Sequence, residues 1–389
     1  MTASPHAHEP SLTQLLAYFL RLGTLGFGGP IALAGRMDKD LVEERRWISR
    51  QDYVEGLAFS QLSPGPLAAQ LAMYIGWVKA GRVGAALVAI AFVAPSFLMA
   101  VAVAAVYLKF GELPWIQHMF YGVGAAVIAI IGQSAYRLSR KTIGADLFLW
   151  ALFAGVAITT VWTGSEIVWL FVLCGVLSMV VKQPPSFLGK QSMSALALAP
   201  IGGWWLTGVQ GTVATGVLGT LTLFFLKAGA FVFGSGLAIV PFLYGGVVRD
   251  HHWLTERQFL DAIAVAMITP GPVVITAAFI GYLVAGVAGG TAAAAAVFTP
   301  PFLIVIIAAP YYRRFAGNPQ VKAFVKGVTA AAVGAIAGAV VILGRRALVD
   351  LLTVLIACAV LFALLKLKKI PEPFLILGAA LVGLIVKGA

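Results

Sequence analysis

The stretch "WISRQDYVEGLAFSQLSPGP" (Trp47–Pro66) is written a second time, as "WLTERQFLDAIAVAMITPGP" (Trp253–Pro272). Trp47 aligns with Trp253, Glu55 with Asp261, and the SPGP of Ser63–Pro66 with the TPGP of Thr269–Pro272, at an offset of 206 residues. The same offset, without a gap, pairs "FLRLGTLGFGGPIAL" (Phe19–Leu33) with "FLKAGAFVFGSGLAI" (Phe225–Ile239). Arg21 then falls on Lys227 and Gly28 on Gly234. With one residue deleted, Pro95 and Phe97 match Pro300 and Phe302, and Gly122 matches Gly327. Self-similarity over this length means a duplicated architecture. The boundaries it implies are 1–182 for the first repeat, 183–212 for a linker and interfacial segment, and 213–389 for the second repeat.

Composition says where these repeats live. Of 389 residues, 60% are hydrophobic and 11% charged, and the mean hydropathy is +0.95. A soluble domain carries about 25% charged residues. Several apolar runs approach 20 residues, the length that crosses the roughly 30 Å hydrocarbon core. The reading is an all-α polytopic membrane protein in a lipid bilayer. The net charge of +12 comes from short basic clusters between apolar runs, as in cytoplasmic loops, so no nucleic-acid partner is implied. Cys174 and Cys358 both lie in apolar runs and read as small buried hydrophobes, not as a disulfide or metal site. The N-terminus lacks a basic n-region and a cleavage pattern, so the first apolar run reads as a mature span.

The first half gives segments at 12–34, 83–108, 115–137, 146–162 and 165–182, with 51–80 interrupted at Ser63–Pro66. The second gives 213–246, 257–285, 287–309, 323–343, 350–365 and 371–387. If 51–80 is a re-entrant hairpin, one face collects Arg36, Lys39, Arg45, Arg46, Arg50, Lys79, Arg82, Arg140, Lys141, Lys182 and Lys190. The other holds little beyond Lys109, so the first face is cytoplasmic. Five spans per half would make the second half an inverted repeat. The total is about ten transmembrane helices plus two re-entrant or broken hairpins. Charge agrees: Ala285–Gly290 carries none, while 310–326 gains Arg313, Arg314, Lys322 and Lys326. Arg345 and Arg346 disagree, since they would lie outside.

Irregular backbone at membrane depth is tolerated only where it is buried in protein or lines a cavity. Paired interruptions in inverted halves mark a transporter's midplane site. The breaks are Pro30, Pro64, Pro66, Pro270 and Pro272, with Gly28, Gly29, Gly65, Gly234, Ser235 and Gly271. A half-helix that starts at Pro66 or Pro272 exposes free N–H groups, with Ser63 or Thr269 placed to cap it. That is an anion-binding geometry. Arg21 and Lys227 lie inside their spans, and Arg21 has three readings: substrate attraction, an ion pair with Glu55, or snorkelling to an interface. Glu55 and Asp261 read as a polar helix face or as coupling sites. Trp47 and Trp253 read as interfacial anchors. No catalytic residue, cofactor or metal site is indicated, and there is no Walker A, HExxH or nucleophile-elbow motif. The chain therefore reads as a carrier and not an enzyme, with a homodimer compatible with the sequence.

"GFGGP" followed about 20 residues later by a Trp and then "SPGP", in two copies, resembles the chromate ion transporter family in its long two-domain form. The resemblance covers nearly the whole chain, and the second copy departs from it by reading "FGSG". It implies a secondary transporter in the bacterial inner membrane that exports chromate and confers chromate resistance. The alternative is a proton-coupled importer of sulfate or a related oxyanion.

Overall fold

A computed structural model describes residues 10–27, 29–111, 113–163, 168–184, 216–232, 236–312, 317–367 and 370–388. Gly28, Gly234, Ser235, Arg313, Arg314, Lys190 and nearly all of the expected linker lie outside them. The chain is an all-α, polytopic membrane protein, and among the described residues four helices are long and apolar enough to cross a membrane, with several shorter apolar ones beside them.

The first helix, α1 (Leu12–Leu25), starts with a capping box in which Ser11 and Gln14 bond each other's backbone amides. It stops at Gly26, and α2 (Gly29–Met37) continues through a π-helical turn to Glu44. A single interrupted span over 12–34 is not what forms. Beyond Gly26 the chain folds back, bringing the π-helical turn that follows α2 beside α1. Tyr18 donates to Asp40 at 3.2 Å, and Arg45 stacks over the Tyr18 ring at 5.4 Å. Gly29, at φ +75, opens the returning arm in the left-handed region that favours glycine. Periodicity alone does not say whether a helix resumes or reverses after a break. The second half does the same around α8 (Val217–Phe231): Phe224, the counterpart of Tyr18, stacks on Phe242 and meets Trp253.

A second hairpin follows. Ser49 caps α3 (Arg50–Leu62), which ends at Ser63, and α4 (Leu67–Phe110) begins after Pro66. The first arm of α4, 67–79, returns beside α3: Phe59 and Tyr74 are 5.7 Å apart, and Gln70 Nε2 donates to the Pro64 carbonyl at 2.7 Å. At Ala80–Gly81 the chain reverses again, Gly81 taking φ +58, so that Gly76 and Gly84 lie back to back. The second arm, 82–110, is about 43 Å long, more than the hydrocarbon core. In the second half these parts are α10 (Glu256–Ile268), a short 3-10 turn, and α11 (Thr276–Ala308), reversing at Ala285–Gly286 with φ +61.

The remaining helices are α5 (Pro114–Ile143), α6 (Leu147–Thr163), α7 (Val168–Lys182), α12 (Pro319–Ala347), α13 (Leu351–Lys366) and α14 (Glu372–Gly388). In bilayers such helices associate by close packing, not by a hydrophobic drive. Here α12 packs on α5, α6 and α7, α14 and α13 pack on α5, and α4 packs on α1 and α11. Residues 122–131 of α5 are all buried, as are 330–336 of α12. Cys174 is buried, as expected. Cys358 is not: it faces outward from α13, where an apolar run meets lipid instead of core.

Polar contacts knit the two ends of this bundle. At the near end, Lys182 pairs with Asp146 and Ser178 donates to Ala323 O at 2.7 Å. At the far end, Arg249 donates to Thr163 O at 2.8 Å, Arg346 pairs with Glu256 at 3.2 Å, and Tyr121 donates to Asp350.

Candidate functional site

The four breaks meet in two pairs. The amide of Gly65 donates to the Val232 carbonyl at 2.5 Å, and the amide of Gly271 donates to the Gly26 carbonyl at 3.0 Å. Each PGP tip thus bonds the broken helix of the other half. Helix ends at membrane depth need partners for their polar groups, and these two bonds supply them. Gly65 (φ +140) and Gly271 (φ +102) hold a backbone that other residues rarely adopt. A Cβ on Gly65 would strike the Gln70 amide and Pro301, and one on Gly271 would strike the Ser96 hydroxyl. Ser96 and Pro301 occupy equivalent places on the two crossing arms.

Ser63 and Thr269 do not cap the helices ahead of them. Ser63 Oγ donates back to Phe59 O at 2.8 Å and lies 3.3 Å from Gln70 Oε1, and Thr269 Oγ1 donates to Ala266 O at 3.2 Å. Each closes the helix that ends at it, because Pro64 and Pro270 turn the chain away from the next one. Pro66 and Pro272 are themselves the N-cap residues, and among the described residues no side chain bonds the first amides behind either. Those amides therefore stay available at the tips. Gln70, wholly buried, braces the first tip. The sequence reading passed over it, although one amide inside "LAAQLAMYIGW" is the kind of buried polar residue that marks a site.

Arg21 is exposed on α1. It lines a cavity of about 200 Å³ with Tyr18, Arg36, Asp40, Glu44 and Arg45, in the cleft of the first hairpin. Among the described residues it makes no ion pair, with Glu55 or any other acid. Lys227 is exposed on α8 and acts electrostatically on His251. Burial, more than Lys227, holds the His251 imidazole below its usual pKa. Pro30 is half-buried in the first turn of α2.

The two acids sit in matching places. Asp261, 4% exposed on α10, accepts from the Tyr107 hydroxyl at 2.7 Å. Glu55, half-buried on α3, accepts from Gln51 at 3.0 Å and acts electrostatically on Tyr312. Each therefore faces a tyrosine near the end of the other half's crossing arm.

Asp261 also lines a cavity of about 750 Å³ at the far end. Its walls carry Arg257, Arg345, Arg346, Lys387 and His118 against Glu256. At its rim, Tyr121 and the Thr353 amide hold the Asp350 carboxyl down to about 2. Among the described residues no group of His, Cys, Asp and Glu could hold a metal ion.

The sequence is similar to that of known transport proteins. The family described as "Chromate transporter" matches the chain over residues 13–179 and again over 219–384. A "Chromate transport protein" of Cupriavidus metallidurans is 55% identical over 96% of this chain and 93% of its own. A "Probable chromate transport protein" of Synechococcus elongatus is 55% identical over 98% and 97%. A "Chromate transport protein" of Pseudomonas aeruginosa is 31% identical over 84% and 79%. No solved structure matches the chain.

Proposed function

The chain belongs to the chromate transporter family, and from that premise we propose that it exports chromate across the bacterial inner membrane, driven by the membrane potential, and so confers chromate resistance. The observation that carries a transport mechanism is the reciprocal pairing of Gly65 with Val232 and Gly271 with Gly26. It joins the ends of half-helices from the two repeats (1–182 and 213–389) in two pairs, each pair made of one end from each repeat. Such helix ends offer amides to an anion and carbonyls to a cation.

The repeats are inverted in this proposal. What supports inversion is that the first half's hairpins start from the near end and the second half's from the far end. The crossing arm 82–110 leaves the turn at Gly81 and reaches Asp261 of α10 with Tyr107. The crossing arm of α11 leaves its own turn at the far end and brings Tyr312 edge-on to Phe59 of α3 at 5.4 Å. Inversion no longer follows from an odd number of spans, since 12–34 is a hairpin. The near end is cytoplasmic in this reading. It carries Arg36, Arg45, Arg50, Lys79, Arg82, Arg140, Lys141, Lys182, Lys322 and Lys326, whereas the far end has few cations beyond Lys109, Arg249 and the vestibule group.

Energetics give the direction. Each charge moved through the field is worth about 2.3 kcal/mol per 100 mV, so expelling a dianion gains about 4.6 kcal/mol, roughly a thousandfold gradient. Export needs no second ion, while uptake would need a cotransported cation. Arg21 and Lys227 attract the anion, Gly28, Gly29, Ser63, Gly65, Gly234, Ser235, Thr269 and Gly271 form its path, and Glu55 and Asp261 flank it. Direct flux from proteoliposomes tests the reading: chromate leaves saturably, with sulfate or molybdate as weaker competitors. Sulfate uptake coupled to protons, with no chromate flux, contradicts it.

A further inference from the structure

The far-end vestibule has a chemistry of its own. Arg257 enters it from the re-entrant helix α10, and Arg345 and Arg346 from the end of α12. Arg257 is oriented by Gln117, donating to its side chain at 3.4 Å and to its carbonyl at 3.3 Å. Arg346 is pulled aside by Glu256 at 3.2 Å, and Lys387 by Asp350 at 3.7 Å. Arg345 makes no ion pair among the described residues. Among the described residues neither Arg257 nor Arg345 makes an ion pair, although Asp261 lies one turn along α10 from Arg257, and both guanidiniums line a cavity of about 750 Å³.

The near end repeats this only in part. The counterparts of Arg345, Arg346 and Lys387 are Arg140, Lys141 and Lys182, and Lys182 is tied to Asp146 as Lys387 is to Asp350, but the counterpart of Arg257 is Gln51. The two ends of a duplicated carrier therefore differ in the group that meets an anion beside the re-entrant helix. A guanidinium binds a tetrahedral oxyanion through paired N–H donors, and glutamine offers one weaker donor pair without charge.

Building on the transport reading, we propose that the vestibule is a second oxyanion site, in which Arg257 and Arg345 hold a tetrahedral dianion between the midplane and the outside. Glu256, on the same wall, draws Arg346 aside and keeps that hold weak, so that a dianion resting there leaves readily. The membrane potential, not the vestibule, sets the direction.

The test uses the full-length protein in detergent, with Cys358→Ala to remove the exposed thiol and Val349→Cys, at the vestibule rim, carrying an environment-sensitive dye. Sulfate and chromate should change the dye signal saturably, and chloride at equal ionic strength should not. Arg257→Gln with Arg345→Gln should weaken the response about tenfold or more. The corresponding double Lys variant should recover part of it, and Arg82→Gln at the other end should leave it unchanged. A double Gln variant that saturates at the parent concentration, or a chloride response equal to sulfate's, overturns the proposal. Chromate flux is measured on the same parent protein in liposomes. Flux without a saturable dye signal overturns the vestibule site and leaves transport standing; a saturable signal without flux supports the site and overturns the transport reading.

Discussion

Gly271 donates its amide to the carbonyl of Gly26 at 3.0 Å, and the same bond joins the equivalent residues Gly65 and Val232. Each half closes the other's broken helix. At both tips a side chain is barred twice, by backbone angle and by the neighbour across the crossing. Gly271→Ala should destabilise the protein by about 1–3 kcal/mol, read as faster thermal inactivation in detergent, and should stop chromate flux. Ser96→Gly in the same chain removes the collision but not the backbone strain, so it should restore only part of the loss. Full restoration would mean that the φ of Gly271 does not matter.

Inversion predicts opposite labelling at equivalent turns. In a Cys358→Ala background, Arg82→Cys should react with a membrane-impermeant thiol reagent only from the cytoplasm, and Val287→Cys only from outside. Labelling of both from the cytoplasm contradicts inversion.

Tyr107 and Asp261 tie the crossing arm of one half to the re-entrant helix of the other. Removing the hydroxyl leaves a buried carboxylate short of a donor, at a cost of about 1–3 kcal/mol. A cycle of Tyr107→Phe and Asp261→Leu should therefore show coupling near 1–2 kcal/mol in thermal unfolding. Additive effects would show that the bond carries no stability.

Arg21 sits in the cleft of the first hairpin beside Asp40 and Glu44. Arg21→Ala should lower chromate flux about tenfold or more, with membrane insertion unchanged, and Arg21→Lys should keep part of it. Undiminished flux in Arg21→Ala removes Arg21 from the path.

Much of this architecture was legible in the sequence because the chain states it twice. One copy of SPGP is a turn; two copies at a fixed offset, each after a matched Trp, are a pair of tips. Ala285–Gly290 without charge, against Lys79 and Arg82 in its counterpart, is the sequence's own argument for the inversion proposed above. The fold-back beyond Gly26 was not legible, because a glycine–proline break permits a kink or a reversal equally. Tertiary contacts such as Tyr18 to Asp40 select between them. The caps were misread for a related reason: Ser63 has acceptors on both sides, and only the direction set by Pro64 decides which it meets. The Tyr107–Asp261 pair joins residues 154 apart, which no local pattern reveals. The vestibule collects Arg257 and Arg345 from separate helices in the same way.

The central claim is export of a dianion driven by the membrane potential, and one measurement addresses it directly. Oriented vesicles loaded with chromate are given a potassium diffusion potential, negative inside, with or without a pH gradient. Efflux should rise steeply with the potential, vanish when the potential is collapsed while the pH gradient is kept, and move net negative charge outward. Efflux that persists on the pH gradient alone, with no charge movement, would contradict the account.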